Sequence, residues 1–232
     1  MLLSIIIPCF NESNTIKKVI DKINNQKYIK KQIILVDDNS TDGTKDIIKN
    51  NLENIIDKVI YQRVNKGKGA AIRAALPYVK GDVVIIQDAD LEYNPSDYKI
   101  LLEAMTKMGK KVVYGSRVLG KPRYKNKNFT SLYRIFFNHA LTILTNILYR
   151  QKLTDAHTCY KVFDASLISK IKLIEDDFTF CPEFTAKVSK LGIKIHEVPI
   201  SYNGRSYQEG KKIKMSDGIR AVYVLFKNYI FN

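Results

Sequence analysis

The segment 83–93, VVIIQDADLEY, joins a run of four apolar residues to three carboxylates at alternate positions. A short run of β-branched residues that ends in polar ones predicts a buried strand. Asp88, Asp90 and Glu92 follow that run, so we expect them at the carboxyl end of the strand. A chain with a formal net charge of +15 therefore gathers three acidic groups where a buried strand ends.

Other apolar runs alternate with helical patterns through the first half of the chain. Apolar residues at helical spacing indicate helices near 16–23 and 101–105. This alternation predicts an α/β fold with a mostly parallel sheet flanked by helices. In such sheets ligands bind beyond the carboxyl ends of the strands, where the polar segments after each run would meet. The predicted strands are 2–7, 32–36, 59–62, 83–86 and 112–114.

The second half has a different pattern. Residues 129–149 predict one long helix that is too polar to cross a membrane unaided and suits either the core or a membrane interface. A loop-like segment at 154–164 precedes a helix at 182–190 and a strand at 193–200. A glycine-containing loop at 202–212 leads to a last amphipathic helix at 216–231.

The charge distribution narrows the classes of partner. The chain has 38 Lys and Arg against 23 Asp and Glu, and residues 104–154 contain no acidic residue. Such a surplus favours anionic partners, namely nucleic acid, phospholipid head groups or nucleotide phosphates. A solvated basic surface explains the same surplus equally well.

Cysteine usage and hydropathy indicate a cytoplasmic protein. Cys9, Cys159 and Cys181 have no metal-ligand spacing, so neither a disulfide framework nor a zinc site is indicated. The first apolar run has no basic region before it and is too short for a signal peptide. No stretch reaches about 18 uninterrupted apolar residues, so we do not expect an integral membrane protein.

The acidic segment after the fourth strand suits a divalent cation. Asp88 and Asp90 straddle a strand end, where both side chains could face one cleft. Two close carboxylates repel each other unless a cation lies between them and a ligand. Mg²⁺ and Mn²⁺ take one or two carboxylates together with substrate phosphates, so the pattern predicts a metal-bridged diphosphate. An Asp-rich turn or helix start is the alternative.

A second acidic pair follows the second strand. Ser40 or Thr41 can cap the helix that comes next, but capping does not explain Asp37 and Asp38 in succession. A buried carboxylate that accepts the imide N–H of a nucleobase would explain them.

Five segments of the first half belong together in their order and spacing: SIIIPCFNES, ILVDDNSTDGT, NKGKGAAIRAA, VVIIQDADLEYNP and YGSR. In that order and spacing they resemble the nucleotide-binding half of family 2 glycosyltransferases with the GT-A fold. The later segments LTDAHTCYKVFDASLI, CPEFTAKVSKLGIKIHEVPISYNGRSYQEGKKI and DGIRA are similar to the branch that acts on polyprenyl phosphates. The resemblance covers nearly the whole chain.

The resemblance implies a role for each matching position. Pro8, Phe10 and Glu12 would shape the base and ribose pocket, Asp38 would accept from the base, and Lys68 would lie near the nucleotide. Packing of Phe10 in the core and a simple helix-start turn at the two glycines beside Lys68 are the structural alternatives.

The same resemblance assigns the acidic segment. Asp88 would meet the ribose or sugar, while Asp90 and Glu92 would hold Mg²⁺ or Mn²⁺ on the diphosphate. The same base contact serves uracil or guanine, so a UDP-hexose and a GDP-hexose both remain open as donors. Asp90 is assigned to catalysis through the metal.

A phosphate acceptor needs positioning more than it needs a base. Phosphate monoester oxygens are largely ionised at pH 7, whereas a hydroxyl acceptor calls for a general base. Arg117, Arg134 and Arg205 are the candidate cations for the acceptor phosphate, because arginine offers a bidentate fork. Arg117 and Arg205 match arginines of the family and are also assigned to catalysis; a surface position is the alternative for each.

The implied reaction is in-line attack by a polyprenyl phosphate on a nucleotide sugar, with inversion at the anomeric carbon. One alternative is transfer to a glycan hydroxyl with Glu183 as base, although we expect Glu183 to orient substrate or contact the loop at Asp155. A nucleotidyltransferase would use the same carboxylate and metal chemistry, but the segments DDNSTDGT and 202–212 do not resemble that class. A nucleic-acid-binding module lacks a recognition motif, and we expect no nucleic-acid partner. His157 and His196 are expected to be structural.

We expect a single domain with three parts: a nucleotide-sugar-binding half at 1–117, an acceptor-binding half at 118–204, and a C-terminal loop and amphipathic helix at 205–232. A basic surface beside an amphipathic helix predicts peripheral attachment to the cytoplasmic face of a membrane.

Overall fold

The computed structural model describes residues 1–120, 129–205 and 215–231, with the side chains of residues 129–134 and 215 outside that description. The described strands form one sheet in the spatial order 3-2-1-4-6-5-7, and every neighbouring pair is parallel except those that involve the sixth strand. This confirms the predicted mixed, mostly parallel sheet. The strands are β1 (Leu3–Cys9), β2 (Lys31–Asp37), β3 (Lys58–Tyr61), β4 (Val83–Ile86), β5 (Val112–Ser116), β6 (Lys161–Asp164) and β7 (His196–Pro199).

The helices fall close to the positions that the apolar spacing predicts. The long helix in the second half has the predicted bounds, and the last begins one residue before its predicted start. Short turns of 3₁₀ or π geometry complete the connections. The helices are α1 (Ile16–Asn24), α2 (Thr44–Ile47), α3 (Lys68–Ala75), α4 (Tyr98–Met108), α5 (Phe129–Tyr149), α6 (Phe180–Lys190) and α7 (Met215–Phe231).

The interpretation of residues 154–164 as a loop is wrong at its end, because Lys161–Asp164 forms β6 between β4 and β5. The strand has four residues and starts with a lysine, so it gives no apolar alternation. Lys161 is nevertheless fully buried, and its Nζ donates to the Ala156 carbonyl at 3.0 Å. A hydrogen bond inside the core thus allows a charged residue in a central strand.

The sheet brings the polar segments to one edge. In the parallel pair β1 and β2, Cys9 lies opposite Asp37, so both strands end together. Strand β6 runs antiparallel, and its amino end therefore lies at the carboxyl edge of its neighbours. The loop before β6 consequently joins the segments that follow β1, β2, β4 and β5.

A second, smaller core joins the helices of the C-terminal part. Leu141 and Tyr149 of α5 pack with Ala186 of α6 and with Ala221 and Leu225 of α7. The outer faces of α5 and α7 expose several large apolar side chains. They are Phe136, Ile143, Ile147, Ile219, Tyr223, Tyr229, Ile230 and Phe231.

Candidate active site

Three carboxylates surround one guanidinium at the carboxyl edge of the sheet. Arg205 donates from Nη1 to Glu12 Oε2 at 3.0 Å and from Nη2 to Glu12 Oε1 at 3.1 Å. The same Nη2 donates to Asp90 Oδ2 at 3.0 Å, and the Arg205 backbone N–H donates to Glu92 Oε1 at 2.8 Å. None of the four side chains is more than 18% exposed. Among the described residues, one guanidinium therefore contacts three carboxylates in a poorly solvated place.

The pKa of Asp90 reflects these surroundings. Burial first, and then the nearby carboxylates of Asp88 and Glu92, raise the pKa of Asp90 to about 7. Arg205 and the Glu92 backbone N–H act in the opposite direction but do not outweigh those effects. A further cation at this place would favour the ionised form of Asp90.

The residues at this edge fit a divalent metal as an incomplete site. Within the described ranges, no group of three or more His, Cys, Asp or Glu side chains is arranged to hold a metal ion. Asp90 and Glu92 nevertheless offer only oxygen donors, which Mg²⁺ and Mn²⁺ prefer. Mg²⁺ takes one or two carboxylates and completes its shell with phosphate oxygens and water. The donor set therefore fits a metal that arrives with a diphosphate.

Asp88 has a cation of its own. Lys68, the first residue of α3, forms an ion pair with Asp88 through its Nζ, which also lies 3.0 Å from the Cys159 Sγ. Burial by itself would lower the pKa of Lys68, but Asp88 outweighs it and holds that pKa well above its ordinary value. The charges of Lys68 and Asp88 thus cancel each other beside the acidic cluster, which consists of Glu12, Asp90 and Glu92.

Asp38 holds the turn that precedes α3. Its Oδ1 accepts from the Lys66 backbone N–H at 2.9 Å and its Oδ2 from the Gly67 backbone N–H at 2.7 Å. Burial raises the pKa of Asp38, although these two hydrogen bonds favour the ionised form. Each carboxylate oxygen has a second lone pair, so the predicted acceptance from a nucleobase is compatible with this geometry.

The glycines beside Lys68 serve close packing as well as the turn that starts α3. Gly67 has φ +101°, and a Cβ there would meet the Asp176 carbonyl oxygen at 2.7 Å. A Cβ on Gly69 would come closer still to the Glu175 carbonyl oxygen. The Ala70 N–H donates to the Asp176 carbonyl at 2.9 Å. The 175–176 backbone therefore lies directly on the start of α3 and fixes the direction of Lys68.

Arg117 lies at the same edge in a closed pair with Asp155. Its Nε donates to Asp155 Oδ2 at 2.7 Å and its Nη2 to Asp155 Oδ1 at 2.8 Å. The Arg117 backbone N–H also donates to Asp155 Oδ2 at 3.0 Å. Burial alone would raise the pKa of Asp155, but Arg117 outweighs it and holds that pKa below its ordinary value. One edge of the Arg117 guanidinium is thus committed to protein rather than presented to a phosphate.

Tyr202 connects the two arginine sites. Its ring lies 5.1 Å from the Arg117 guanidinium carbon, a cation–π distance, and its hydroxyl donates to Glu92 Oε2 at 2.6 Å. On the far side, Glu197 of β7 accepts from the backbone N–H groups of Thr154 and Asp155 at 2.6 and 2.9 Å. The 154–155 loop, Arg117, Tyr202 and the acidic cluster form one connected polar network.

The residues after β1 divide between two places. Pro8 lies in β1 opposite Val36, and both Pro8 and Phe10 are partly exposed at the strand end, as a nucleoside pocket requires. Glu12 instead turns into the acidic cluster, where it binds Arg205 and also accepts from the Thr15 hydroxyl at 2.8 Å. The structure thus brings Glu12 together with the predicted metal ligands.

Two further predicted residues come from the second half of the chain. The Arg134 side chain is outside the described residues. Glu183 is fully buried and accepts from the backbone N–H groups of Ile174 and Glu175 at 2.8 and 3.0 Å and from Lys187 Nζ at 2.8 Å. The expected contact between Glu183 and the loop at Asp155 is therefore wrong: Glu183 anchors a different loop, the one that packs on the start of α3.

His157 lies near the Arg117 side of the network. Its Nε2 is buried and, among the described residues, has no hydrogen-bond partner. Burial first, and then the positive charges of Lys161 and Arg117, lower the pKa of His157 to about 4. His157 is therefore neutral at pH 7, as a structural histidine would be.

Sequence reasoning missed several members of this network. Tyr202, Glu197 and Cys159 received no role, and Glu12 was assigned to the nucleoside rather than to Arg205. Tyr202 lies three residues before Arg205, and its aromatic ring in a polar loop was an available signal. The partners of Cys159 and Glu197 come from distant parts of the chain and leave no local pattern.

The family described as Glycosyl transferase family 2 matches residues 4–172. The dolichyl-phosphate beta-glucosyltransferase ALG5A of Trichomonas vaginalis is 29% identical, over 99% of this chain and 73% of the relative. The UDP-N-acetylglucosamine–dolichyl-phosphate N-acetylglucosaminyltransferase of Methanococcus voltae is 29% identical, over 97% of this chain and 94% of the relative.

A solved structure shares the fold. Glucosyl-3-phosphoglycerate synthase from Mycobacterium tuberculosis, in complex with Mn²⁺, UDP and phosphoglyceric acid, matches with a TM-score of 0.74 and 18% identity. The match covers 100% of this chain and 79% of that one. At this identity the likeness concerns the fold, which is the GT-A arrangement expected from the sequence.

Proposed function

We propose that this chain transfers a hexose from a nucleoside diphosphate sugar to a polyprenyl phosphate. The chain belongs to glycosyl transferase family 2 and is therefore a glycosyltransferase. The observation that carries the proposal is the 3.0 Å contact between Asp90 and Arg205 at the carboxyl edge of the sheet. It brings together a carboxylate suited to a metal–diphosphate and a cation suited to a second phosphate. Both named relatives are dolichyl-phosphate sugar transferases.

The donor would lie across the ends of β1, β2 and β4. Phe10 would pack on the base and Asp38 would accept from it, while Asp88, neutralised by Lys68, would face the ribose or sugar. Asp90 and Glu92 would hold Mg²⁺ or Mn²⁺, which when bound supplies positive charge to the diphosphate leaving group. The chain's own part is to hold the nucleoside and to keep the anomeric carbon open to attack from the opposite side.

The acceptor would need a cation and no base. A phosphate monoester oxygen is already ionised and would attack the anomeric carbon in line, so that the C–O bond to the diphosphate breaks and the configuration inverts. Of the two candidate arginines whose side chains are described, Arg117 and Arg205, Arg205 is the better placed to meet that phosphate. Arg117 would act from its fixed position by holding Tyr202 and, through it, Glu92.

The alternative of a glycan hydroxyl acceptor depends on a base in the second half of the chain. Glu183 was the candidate, but both of its oxygens accept backbone N–H groups and one also accepts from Lys187. A base has to reach the acceptor oxygen within hydrogen-bond distance. A fully buried, fully hydrogen-bonded carboxylate does not offer that, so the geometry favours the phosphate acceptor.

The acceptor lipid implies contact with a membrane surface. Among the described helices, none combines the length and apolar character that a membrane crossing requires. The exposed apolar residues of α5 and α7, together with the acid-free 104–154 segment, would suit peripheral attachment to an anionic surface. Cosedimentation with anionic liposomes at low salt tests this part by itself. The double variant Ile219→Ser/Ile230→Ser should release the protein, whereas Ile55→Ser, an exposed isoleucine elsewhere, should not.

A transfer assay tests the proposed reaction. UDP-glucose, UDP-N-acetylglucosamine and GDP-mannose are each combined with Mg²⁺ or Mn²⁺ and with a polyprenyl phosphate or its parent polyprenol. We expect a β-linked product with one donor and only with the phosphorylated lipid, because the alcohol is not ionised. Equal transfer to the polyprenol or to a glycan would overturn the assignment of the acceptor.

A further inference from the structure

The acidic cluster holds its arginine in an unequal and incomplete way. Arg205 faces Glu12, Asp90 and Glu92, so one guanidinium charge is shared among three carboxylates. Its Nη2 is shared between two acceptors, and its Nε lies 3.7 Å from Glu92 Oε1, beyond hydrogen-bond distance. Among the described residues the buried Nε has no hydrogen-bond partner. The guanidinium is therefore held by charge more than by a fitted set of hydrogen bonds.

Arg205 also uses an oxygen that a metal would need. Asp90 Oδ2 accepts from Arg205 Nη2 at 3.0 Å. A divalent cation bonded to Asp90 would come within a few ångströms of the guanidinium, where two positive charges in a poorly solvated site repel strongly. The present position of Arg205 therefore disfavours metal binding at Asp90.

We propose that Arg205 is a built-in counter-ion for the metal site, which occupies the place of the metal's charge until a diphosphate arrives with the metal. The inference rests on the proposed function. Metal alone has to displace Arg205 from Asp90 and Glu92, and it leaves the guanidinium with Glu12 beside a second positive charge. Metal with a diphosphate also brings negative oxygens that accept the displaced guanidinium. Arg205 thus makes the site selective for the metal–diphosphate pair over the free metal.

Glu12 has a defined part in this exchange. It takes two of the three guanidinium hydrogen bonds, and it lies on the segment after β1 rather than on the acidic segment after β4. It therefore holds Arg205 in the waiting position without itself belonging to the predicted metal ligands. Glu12 is a positioning residue for Arg205.

Direct binding of Mn²⁺ without nucleotide tests the inference. Free Mn²⁺ is measured by electron paramagnetic resonance during titration of the wild-type chain, Arg205→Gln, Arg205→Lys and the control Lys107→Gln. Lys107 is exposed on α4, so its replacement makes the same change in net charge away from the site. We expect Arg205→Gln to bind Mn²⁺ about tenfold more tightly or better, because the competing charge is gone. Arg205→Lys and Lys107→Gln should stay near the wild-type affinity.

Equal or weaker Mn²⁺ binding by folded Arg205→Gln would overturn the inference. Circular dichroism shows whether the variant folds. If it does not fold, NMR of the wild-type chain tests the same inference. The guanidinium Nε–H resonance of Arg205, assigned by its loss in Arg205→Lys, should shift with Mg²⁺ plus a nucleoside diphosphate and stay in place with Mg²⁺ alone. A resonance that moves fully with Mg²⁺ alone would also overturn it.

The same titrations separate this inference from the proposed function. If no nucleoside diphosphate binds in the presence of Mn²⁺, the proposed donor is wrong. The comparison of wild type with Arg205→Gln in Mn²⁺ alone contains no nucleotide, so it decides the role of Arg205 in either case.

Discussion

Arg117 and Arg205 lie at the same edge of the sheet and were both assigned to the acceptor phosphate, yet their surroundings are opposite. Arg117 meets one carboxylate, Asp155, through two parallel hydrogen bonds of 2.7 and 2.8 Å. Arg205 meets three carboxylates and leaves its Nε without an acceptor among the described residues. Among the described residues, the first site pairs one cation with one carboxylate, whereas the second places one cation among three carboxylates.

The two aspartates report this difference through their pKa values. Loss of solvent contact by itself raises the pKa of each. Arg117 outweighs this effect and holds the pKa of Asp155 below its ordinary value, whereas at Asp90 the same effect and the carboxylates of Asp88 and Glu92 together raise the pKa to about 7. A balanced buried pair keeps its partners, and a cluster with surplus charge can exchange them. We therefore expect Arg117 to support the site and Arg205 to take part in binding.

Removing the partner of Arg117 should break the balanced site. Asp155→Asn leaves a buried guanidinium without its counter-charge, which costs about 3–5 kcal/mol in the free energy of unfolding. Urea unfolding measures the change, with Asp21→Asn, an exposed aspartate on α1, as the matched control. If Asp155→Asn were no less stable than Asp21→Asn, the description of Arg117 as a locked residue would be wrong.

Removing one acid from the crowded cluster should affect activity rather than stability. Asp90→Asn takes away the predicted metal ligand, and we expect transfer to fall by roughly 10²–10³-fold, the scale of losing one group that stabilises charge in the transition state. The free energy of unfolding should hold or increase at pH 8, because a repulsive charge is gone. Metal-dependent transfer and urea unfolding on the same preparation check both. Full metal-dependent activity in Asp90→Asn would remove Asp90 from the mechanism.

Glu183 provides an internal reference, since it is a buried carboxylate outside the site. Glu183→Gln weakens its two backbone hydrogen bonds and the pair with Lys187, at a cost of about 1–3 kcal/mol in the free energy of unfolding. Transfer by the folded variant should stay within a few-fold of wild type. Loss of transfer with intact donor binding and folding would instead favour the hydroxyl-acceptor alternative with Glu183 as base.

The sequence predicts the parts of the site that lie on single strands. Apolar runs located β1, β2, β4 and β5, and parallel pairing then placed Asp38, Asp88 and Arg117 at one edge. Pairing between distant segments is harder to predict, because it leaves no local periodicity. Strand β6 was missed for that reason. The 175–176 backbone also packs closely against Gly67 and Gly69, and no turn preference predicts that contact. The partners of Arg205 likewise come from two loops that are far from it along the chain.

The last effect we expect concerns the pH dependence of the free energy of unfolding. It should differ in sign between His157, which lies near Arg117, and Asp90, which pairs with Arg205. His157 has a pKa of about 4 in the folded chain against an ordinary value near 6.5, so the unfolded chain binds more protons between these values and stability falls on acidification. Asp90 has the opposite sign: its pKa of about 7 lies above the ordinary 3.8, so the folded chain binds more protons and acidification stabilises it. His157→Gln should therefore reduce the loss of stability between pH 7 and pH 5 by about 2 kcal/mol, and Asp90→Asn should increase that loss. Urea unfolding at both pH values measures the slopes. Identical slopes in the wild-type chain and the two variants would mean that neither His157 nor Asp90 has the shifted pKa from which these opposite slopes follow.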